Sequence, residues 1–134
     1  MKKLEHIGIA VNDLSDSNRL FEKLLKTKSY KTEEVPSEGV KTSFFQVGET
    51  KIELLQATKP DSPIAKFIEK RGEGVHHIAF EVSDIEAEMK RLQSEGFELI
   101  NASPKDGADN KKICFLRPKN TNGVLIELCQ EKSL

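Results

Sequence analysis

The pattern of apolar and polar positions divides the chain into strand-like and helix-like stretches. Positions 4–11 alternate weakly and are rich in Ile and Val, which predicts a strand. Asp13 or Ser15 can then cap a helix that runs to about Thr27. The residues expected on the inward stripe of that helix recur at three- and four-residue spacing: Leu14, Ser17, Leu20, Phe21, Leu24 and Leu25.

Three further strands and a short helix complete the first half of the chain. A strand is expected near 29–35, and 40–47 with 51–57 form a hairpin closed around Gly48-Glu49-Thr50. A helix over about 62–72 follows, with Ser62 as cap and Pro63 at its first position. This helix is predicted to link the two halves.

The second half repeats the order strand, helix, strand, strand, strand. The predicted helix begins at Asp84, ends near Glu95 and turns Ile85, Met89 and Leu92 inward. The other elements are expected as strands at 75–82, 97–102, 112–117 and 124–130, with a loop at 103–110. The last few residues are expected to fray.

Two pairs of segments show that the halves are copies of one plan. His6-Ile7-Gly8-Ile9-Ala10-Val11 recurs, 71 positions later, as His77-Ile78-Ala79-Phe80-Glu81-Val82. Lys51-Ile52-Glu53-Leu54-Leu55-Gln56 recurs, 74 positions later, as Leu125-Ile126-Glu127-Leu128-Cys129-Gln130. An internal repeat of this kind indicates that the fold is built from two similar units. It predicts one domain over 1–134 with repeats at about 1–58 and 73–134.

Each repeat carries one histidine early and one glutamate late, namely His6 with Glu53 and His77 with Glu127. If the halves meet about a pseudo-twofold axis, these four side chains converge. Two imidazoles and two carboxylates suit Zn, Ni, Co, Mn or Fe(II), and two coordination positions left for water or substrate would make the site catalytic. A strand histidine or glutamate taken alone is usually a packed or surface residue, so the prediction rests on the shared register.

His76 competes with His77 for the role of ligand. Neighbouring strand residues point to opposite faces, so only one of the two can bind the metal. The register of the repeat selects His77. His76 is then expected to pack under a helix, or to contact substrate or another subunit.

Composition excludes several classes of function. The 134 residues include 21 basic and 22 acidic ones, and the net charge of −1 gives no reason to expect nucleic acid or an anionic membrane as partner. No apolar run approaches the roughly 20 residues that cross a bilayer, and no signal-peptide core precedes the first strand. Two cysteines are a poor disulfide framework, which favours a cytoplasmic protein with reduced thiols.

With these residues in view, the chain resembles the vicinal oxygen chelate superfamily and, within it, the methylmalonyl-CoA epimerase family. The resemblance implies an α/β fold in which two βαβββ repeats form an open, cupped, barrel-like sheet. It covers nearly the whole chain. Its most specific segments are 72–79, which contains His77, and 123–128, which contains Glu127. The matching segments are 6–11, 38–41, 48–55, 62–67, 115–119, 72–79 and 123–128.

The resemblance also implies an activity and its partners. The expected enzyme interconverts (R)- and (S)-methylmalonyl-CoA by removing the proton alpha to the thioester through a metal-stabilised enolate. It implies a divalent metal (Co, Mn, Ni or Zn) held by His6, Glu53, His77 and Glu127, with Glu127 and Glu53 as the catalytic carboxylates. An acyl-CoA substrate and a homodimer are expected. No substrate-binding residue is assigned.

Thr42 and Asp109-Asn110 are among the places that depart from the family pattern. Thr42 stands where some members carry a glutamate base, so Glu53, and less readily Glu38, becomes the candidate for the second base. Asp109-Asn110 replaces a more glycine-rich loop.

Three other functions remain open on this scaffold. A glyoxalase I-like lactoylglutathione lyase uses the same ligand types and also abstracts a proton beside a metal-bound oxygen. A metal-free small-molecule binding protein would not need all four ligands. An extradiol dioxygenase needs two histidines, one carboxylate and three open positions, and the second glutamate would fill one of these.

Overall fold

The computed structural model describes residues 1–132, and within them it contains eight strands, three α-helices and two short 3-10 turns. The predicted fraying of the chain end concerns residues 133 and 134, which lie outside this range. The elements are β1 (Lys3–Ala10), α1 (Leu14–Leu25), β2 (Lys31–Val35), β3 (Val40–Val47), β4 (Thr50–Ala57), α2 (Pro63–Arg71), β5 (Gly74–Glu81), α3 (Ile85–Ser94), β6 (Lys105–Gly107), β7 (Lys111–Leu116) and β8 (Ile126–Glu131).

The chain divides into two compact units, and the first consists of His6–His76. Its strands lie in the order β2-β3-β4-β1, with β1 parallel to β4 and the other neighbours antiparallel. Helix α1 covers a cluster that contains Val11, Phe45 and Leu54. Helix α2 contributes Ile64 to a second cluster with Ala10 and Leu55. The predicted linker helix is therefore part of the first unit's core.

The second unit consists of Met1–Glu5 together with His77–Leu134. Its strands repeat the same plan in the order β5-β8-β7-β6, with β5 parallel to β8. Helix α3 buries Ile85, Met89 and Leu92 against the sheet, as predicted. The backbone N–H of Lys2 donates to the carbonyl of Glu81, which attaches the start of β1 to this unit. A single domain over the whole chain stays a prediction.

Helix α1 begins where the sequence predicts, but its inward stripe is narrower. Asp13 is the cap, because its side chain accepts a hydrogen bond from the N–H of Asp16. Phe21 packs into the core, whereas Leu20 is 62% and Leu24 68% exposed. Adjacent helix positions differ by about 100° around the axis, so residues one step from the packed row turn outward.

The second half departs from the predicted order at 97–102, which is not a strand. Leu99 forms an isolated bridge to Leu116, flanked by backbone hydrogen bonds from Ile100 N–H to Phe115 O and from Arg117 N–H to Glu98 O. Asn101 then accepts from the N–H of Phe115 through its side-chain oxygen. The strand that pairs with β7 is instead β6, inside the predicted loop at 103–110. At Asn101 a side-chain oxygen takes the place of a backbone carbonyl as acceptor, so the backbone hydrogen bonds to β7 are interrupted there. They resume at β6, where Lys105 pairs with Ile113.

In residues 1–132 no helix is long and apolar enough to span a membrane.

Candidate metal centre

In the first unit the pairing of β1 with β4 brings His6 and Glu53 together. Gly8 lies opposite Glu53 in the parallel register, and His6 stands two residues before Gly8 on the same face. Because Gly8 has no side chain, the imidazole can lean diagonally towards the carboxylate. His6 Nδ1 lies 3.1 Å from Glu53 Oε2, and both side chains are 6% exposed.

The second unit repeats this arrangement with β5 and β8. Ala79 lies opposite Glu127, and His77 stands two residues before Ala79. His77 Nε2 lies 3.2 Å from Glu127 Oε1, and the side chains are 7% and 6% exposed. Each unit thus brings its own predicted histidine and glutamate into contact through a small residue in the same relative position.

The donor set fits a divalent cation. Imidazole nitrogen and carboxylate oxygen bind Zn²⁺ at about 2.0–2.2 Å, so two such ligands at right angles lie about 3 Å apart. The N···O distances in the two pairs, 3.1 and 3.2 Å, match that spacing. Each unit therefore contains a buried histidine in contact with a buried glutamate, the two side-chain types that such a cation binds.

An aromatic side chain positions the second histidine. Phe115 lies opposite Glu127 on β7, and its ring meets the His77 ring edge-on, with centroids 5.9 Å apart. Lys105 places its ammonium 5.9 Å from the centroid of the Phe115 ring. The imidazole of His77 is thus packed between an apolar wall and its glutamate. Neither Phe115 nor Lys105 was singled out by the sequence.

His76 packs under a helix, which was one of the roles expected of it. Its ring contacts Phe67 of α2 in a T-shaped arrangement, with centroids 5.0 Å apart. It follows that the two adjacent histidines have different surroundings, as strand alternation requires.

The two residues discussed as base positions also differ in placement. Thr42 is 1% exposed on β3 and lies opposite Leu55, on the same sheet face as Glu53. Its neutral hydroxyl therefore belongs to the sheet face that carries Glu53. Glu38 is half-buried at the end of the 3-10 turn Pro36–Glu38.

A buried ion pair in the second unit was missed by the sequence analysis. Lys111 and Glu5 are 4% and 2% exposed, with Lys111 Nζ 4.0 Å from Glu5 Oε2 and 3.3 Å from Glu131 Oε1. In the sequence, Glu5 lies within a predicted strand and Lys111 directly precedes one. Charged residues at such positions usually face water, so neither was expected to be buried. The lysine offsets the charge of a carboxylate that directly precedes His6.

The thiols near the second pair are held protonated. Burial raises the pKa of Cys114 to about 11, with a smaller contribution from the charge of Glu127. Burial, then Glu127 and Glu5, also raise the pKa of Cys129. At neutral pH both thiols are therefore protonated and pack as small apolar groups.

Comparison of the sequence with known proteins identifies the family of this chain. The family model of the Glyoxalase/Bleomycin resistance protein/Dioxygenase superfamily matches residues 5–115. The uncharacterized protein YqjC of Bacillus subtilis is 41% identical over 132 residues, covering 98% of this chain and 94% of its own. An ethylmalonyl-CoA/methylmalonyl-CoA epimerase of Cereibacter sphaeroides is 40% identical over 130 residues, covering 96% of this chain and 97% of its own. The chain belongs to the methylmalonyl-CoA epimerase family.

A solved structure supports this membership at the level of the fold. A methylmalonyl-CoA epimerase in complex with methylmalonyl-CoA and NH4+ has a TM-score of 0.94 and 31% identity, covering 99% of this chain and 96% of its own. The predicted family and the mixed α/β fold built from two repeats are confirmed. Members of the methylmalonyl-CoA epimerase family are enzymes, and this chain spans nearly the full length of the bacterial relatives named above.

Proposed function

We propose that the protein is a metal-dependent epimerase that interconverts (R)- and (S)-methylmalonyl-CoA. The observation that carries the proposal is the duplicated contact of a buried histidine with a buried glutamate, His6 with Glu53 and His77 with Glu127. Membership of the methylmalonyl-CoA epimerase family supports the substrate, an acyl-CoA thioester. The four side chains are proposed to share one divalent cation: Co, Mn, Ni or Zn.

The chemistry requires a proton to leave and return at one carbon. That carbon lies between a thioester and a carboxylate, and its proton becomes acidic only if the enolate is stabilised. A divalent cation held by these residues would supply Lewis-acid stabilisation of that negative charge. The protein must then offer a carboxylate to the carbon, and must do so on both faces, because the planar intermediate is protonated on the opposite side.

Glu127 is the first base in this proposal and Glu53 the second. Carboxylates at the edge of a buried site serve well as bases when burial and neighbouring charge adjust their basicity. Each has a histidine within 3.2 Å that fixes the orientation of the carboxyl group. Thr42 carries a neutral hydroxyl and cannot accept the proton, so Glu38 is the remaining alternative for the second base.

The test is an epimerase assay on protein stripped of metal with a chelator and then reloaded with one divalent ion at a time. Epimerisation of methylmalonyl-CoA that disappears on stripping and returns with Co²⁺, Mn²⁺, Ni²⁺ or Zn²⁺ supports the proposal. Tight metal binding without epimerisation or alpha-deuterium exchange would refute the activity and leave the metal site standing. Turnover of a glutathione hemithioacetal in its place would make the protein a lyase.

A homodimer is part of the proposal. Among the described residues 1–132, strand β2 lies at the end of the strand order beside β3, and it is the edge along which a second copy is proposed to pack. Light scattering coupled to size-exclusion chromatography should give twice the mass of the 15.1 kDa chain.

A further inference from the structure

Two glutamines occupy equivalent places in the two units, three residues after each glutamate of a His–Glu pair. Gln56 follows Glu53 on β4, and Gln130 follows Glu127 on β8. Gln56 Oε1 accepts a hydrogen bond from the backbone N–H of Leu14 at 2.6 Å. Gln130 Oε1 accepts one from the N–H of Ile85 at 2.8 Å. The same contact is built twice, on the first residue of α1 and of α3.

Helix capping accounts for only part of this arrangement. The first N–H groups of a helix have no partner within the helix and need an acceptor. Asp13 and Asp84 already act as caps, accepting from the N–H groups of Asp16 at 2.9 Å and Ala87 at 3.1 Å. The glutamines differ from these caps because they come from the strand that carries the glutamate, not from the helix.

Each glutamine therefore ties the strand that carries the glutamate to the helix that follows the strand carrying the histidine. Three residues separate β1 from α1, and three separate β5 from α3, so each helix start moves with its histidine strand. The backbone bonds at the same end are also repeated: Val11 N–H donates to Leu55 O and Val82 N–H to Cys129 O, both at 2.9 Å. The glutamine bond therefore lies at the same end of the strand pair as these backbone bonds.

The apolar pattern alone does not fix that register. Strand β1 has small or apolar residues on both faces beyond His6. Because side chains alternate between the two faces of a strand, a slip of two residues would leave every side chain on its original face. Such a slip would displace the histidine along its strand by about 6.6 Å. The His6–Glu53 contact of 3.1 Å would then be lost, although most of the core would remain apolar.

We propose that Gln56 and Gln130 are positioning residues that hold each histidine strand in the register that brings its imidazole to the glutamate. The inference rests on the proposed function, because a divalent cation is what the aligned pairs would bind. Neither glutamine touches the reacting atoms in this proposal.

The test compares variants that lose the acceptor with variants that keep it. Gln56→Met preserves side-chain length and removes the oxygen, whereas Gln56→Glu keeps an oxygen in place. Asp13→Ala is the matched control, because it uncaps the same helix without touching β4. Gln130→Met, Gln130→Glu and Asp84→Ala repeat the set in the second unit. Titration calorimetry with Mn²⁺ or Co²⁺ on chelator-treated protein measures the affinity.

Gln56→Met should weaken metal binding by about tenfold or more, as loss of a residue that orients a ligand usually does. Gln56→Glu should stay within about threefold of wild type, less than the usual loss, because its carboxylate oxygen can still accept from the Leu14 N–H. Asp13→Ala should lower the melting temperature and leave the affinity unchanged. A purely structural role for Gln56 predicts the opposite: Gln56→Met and Asp13→Ala would behave alike.

Amide hydrogen exchange of the metal-free protein provides an independent readout. The Val11 amide, bonded to Leu55 O, should exchange faster in Gln56→Met than in wild type or Asp13→Ala. Wild-type exchange and wild-type affinity in Gln56→Met overturn the inference. A wild-type protein that binds no divalent ion defeats the proposed function instead, and the Val11 exchange rates then decide the inference by themselves.

Discussion

At the scale of single residues, the proposed chemistry depends on four buried side chains. His6, Glu53, His77 and Glu127 are each 5–6% exposed. Burial of an imidazole or a carboxylate without a polar partner is costly, so such groups persist in a fold only when they are satisfied. Each of the four contacts its partner at 3.1 or 3.2 Å. Their burial in pairs distinguishes them from the many charged residues on the surface.

The proposed two-base mechanism predicts different defects in the two glutamate variants. Glu127→Gln should stop alpha-deuteration starting from one epimer, and Glu53→Gln should stop it starting from the other, because an amide cannot accept the proton. Epimerisation should fall by about 10²–10⁴-fold in both variants. Mass spectrometry of each epimer incubated in D2O measures the exchange.

Two further variants, a control and a test of the alternative base, are needed to interpret that experiment. Glu95→Gln, on the exposed end of α3, should behave as wild type. If Glu38→Gln loses exchange from one epimer while Glu53→Gln retains both, the second base is Glu38 and the assignment of Glu53 is wrong.

The buried thiols predict a loss of stability at alkaline pH. Burial raises the pKa of Cys114 from 9.0 to about 11, so the thiol ionises more readily in the unfolded chain. Its contribution is complete below pH 9 and declines as the pH rises to about 11, by about 2 to 3 kcal/mol. Urea unfolding across this range should show the decline, and Cys114→Ala should reduce its slope. An equal slope in Cys114→Ala would contradict the prediction.

At the scale of secondary-structure elements, the turn between β6 and β7 replaces glycine by two residues that tolerate its conformation. Asp109 and Asn110 have φ of 60° and 56°, in the left-handed region. Asn and Asp are the non-glycine residues found there most often. Both residues therefore adopt a left-handed backbone conformation that glycine takes without strain.

That conformation predicts opposite effects of glycine at neighbouring positions. Asn110→Gly should be neutral or stabilising, whereas Asn110→Ala should destabilise by about 1 to 2 kcal/mol, since alanine is strained at positive φ. Ala108→Gly, at a residue without positive φ, should destabilise by about 0.4 to 1 kcal/mol by adding freedom to the unfolded chain. Urea unfolding measures all three. Stabilisation by Ala108→Gly would count against this account of the turn.

At the scale of the whole molecule, the proposed cation would belong to both halves of the duplicated chain. The two His–Glu pairs lie in different compact units, one in His6–His76 and the other in the unit that contains His77 and Glu127. A ligand that binds only the folded protein stabilises it by mass action, by about 2.7 kcal/mol at a concentration of 100 times Kd.

A shared cation predicts one bound metal per chain and a rise in melting temperature on the order of 5 to 10 °C at that concentration. Glu53→Gln and Glu127→Gln should each reduce the rise, because each replaces a charged ligand of the same ion by a neutral amide. Elemental analysis and thermal melts with and without metal measure these effects. Two metals per chain, with each variant losing only one, would show separate sites.

The sequence by itself determined the repeat, most elements and the residues of both His–Glu pairs. Periodicity locates β1, α1, α3 and the hairpin arms because local spacing reflects which face is buried. The register of the repeat also selected His77 over His76, and His76 indeed packs on Phe67. These features depend on short stretches of chain or on identity between two copies.

Only the tertiary structure decided the features that depend on partners distant in sequence. The stretch 97–102 carries a strand-like pattern, yet Asn101 supplies a side-chain acceptor and the paired strand forms at Lys105–Gly107. Leu20 and Leu24 match the helical period but face outward, since the sheet covers only the row that includes Phe21. Pattern records which residues are apolar, whereas the packing of other elements decides which of them are covered.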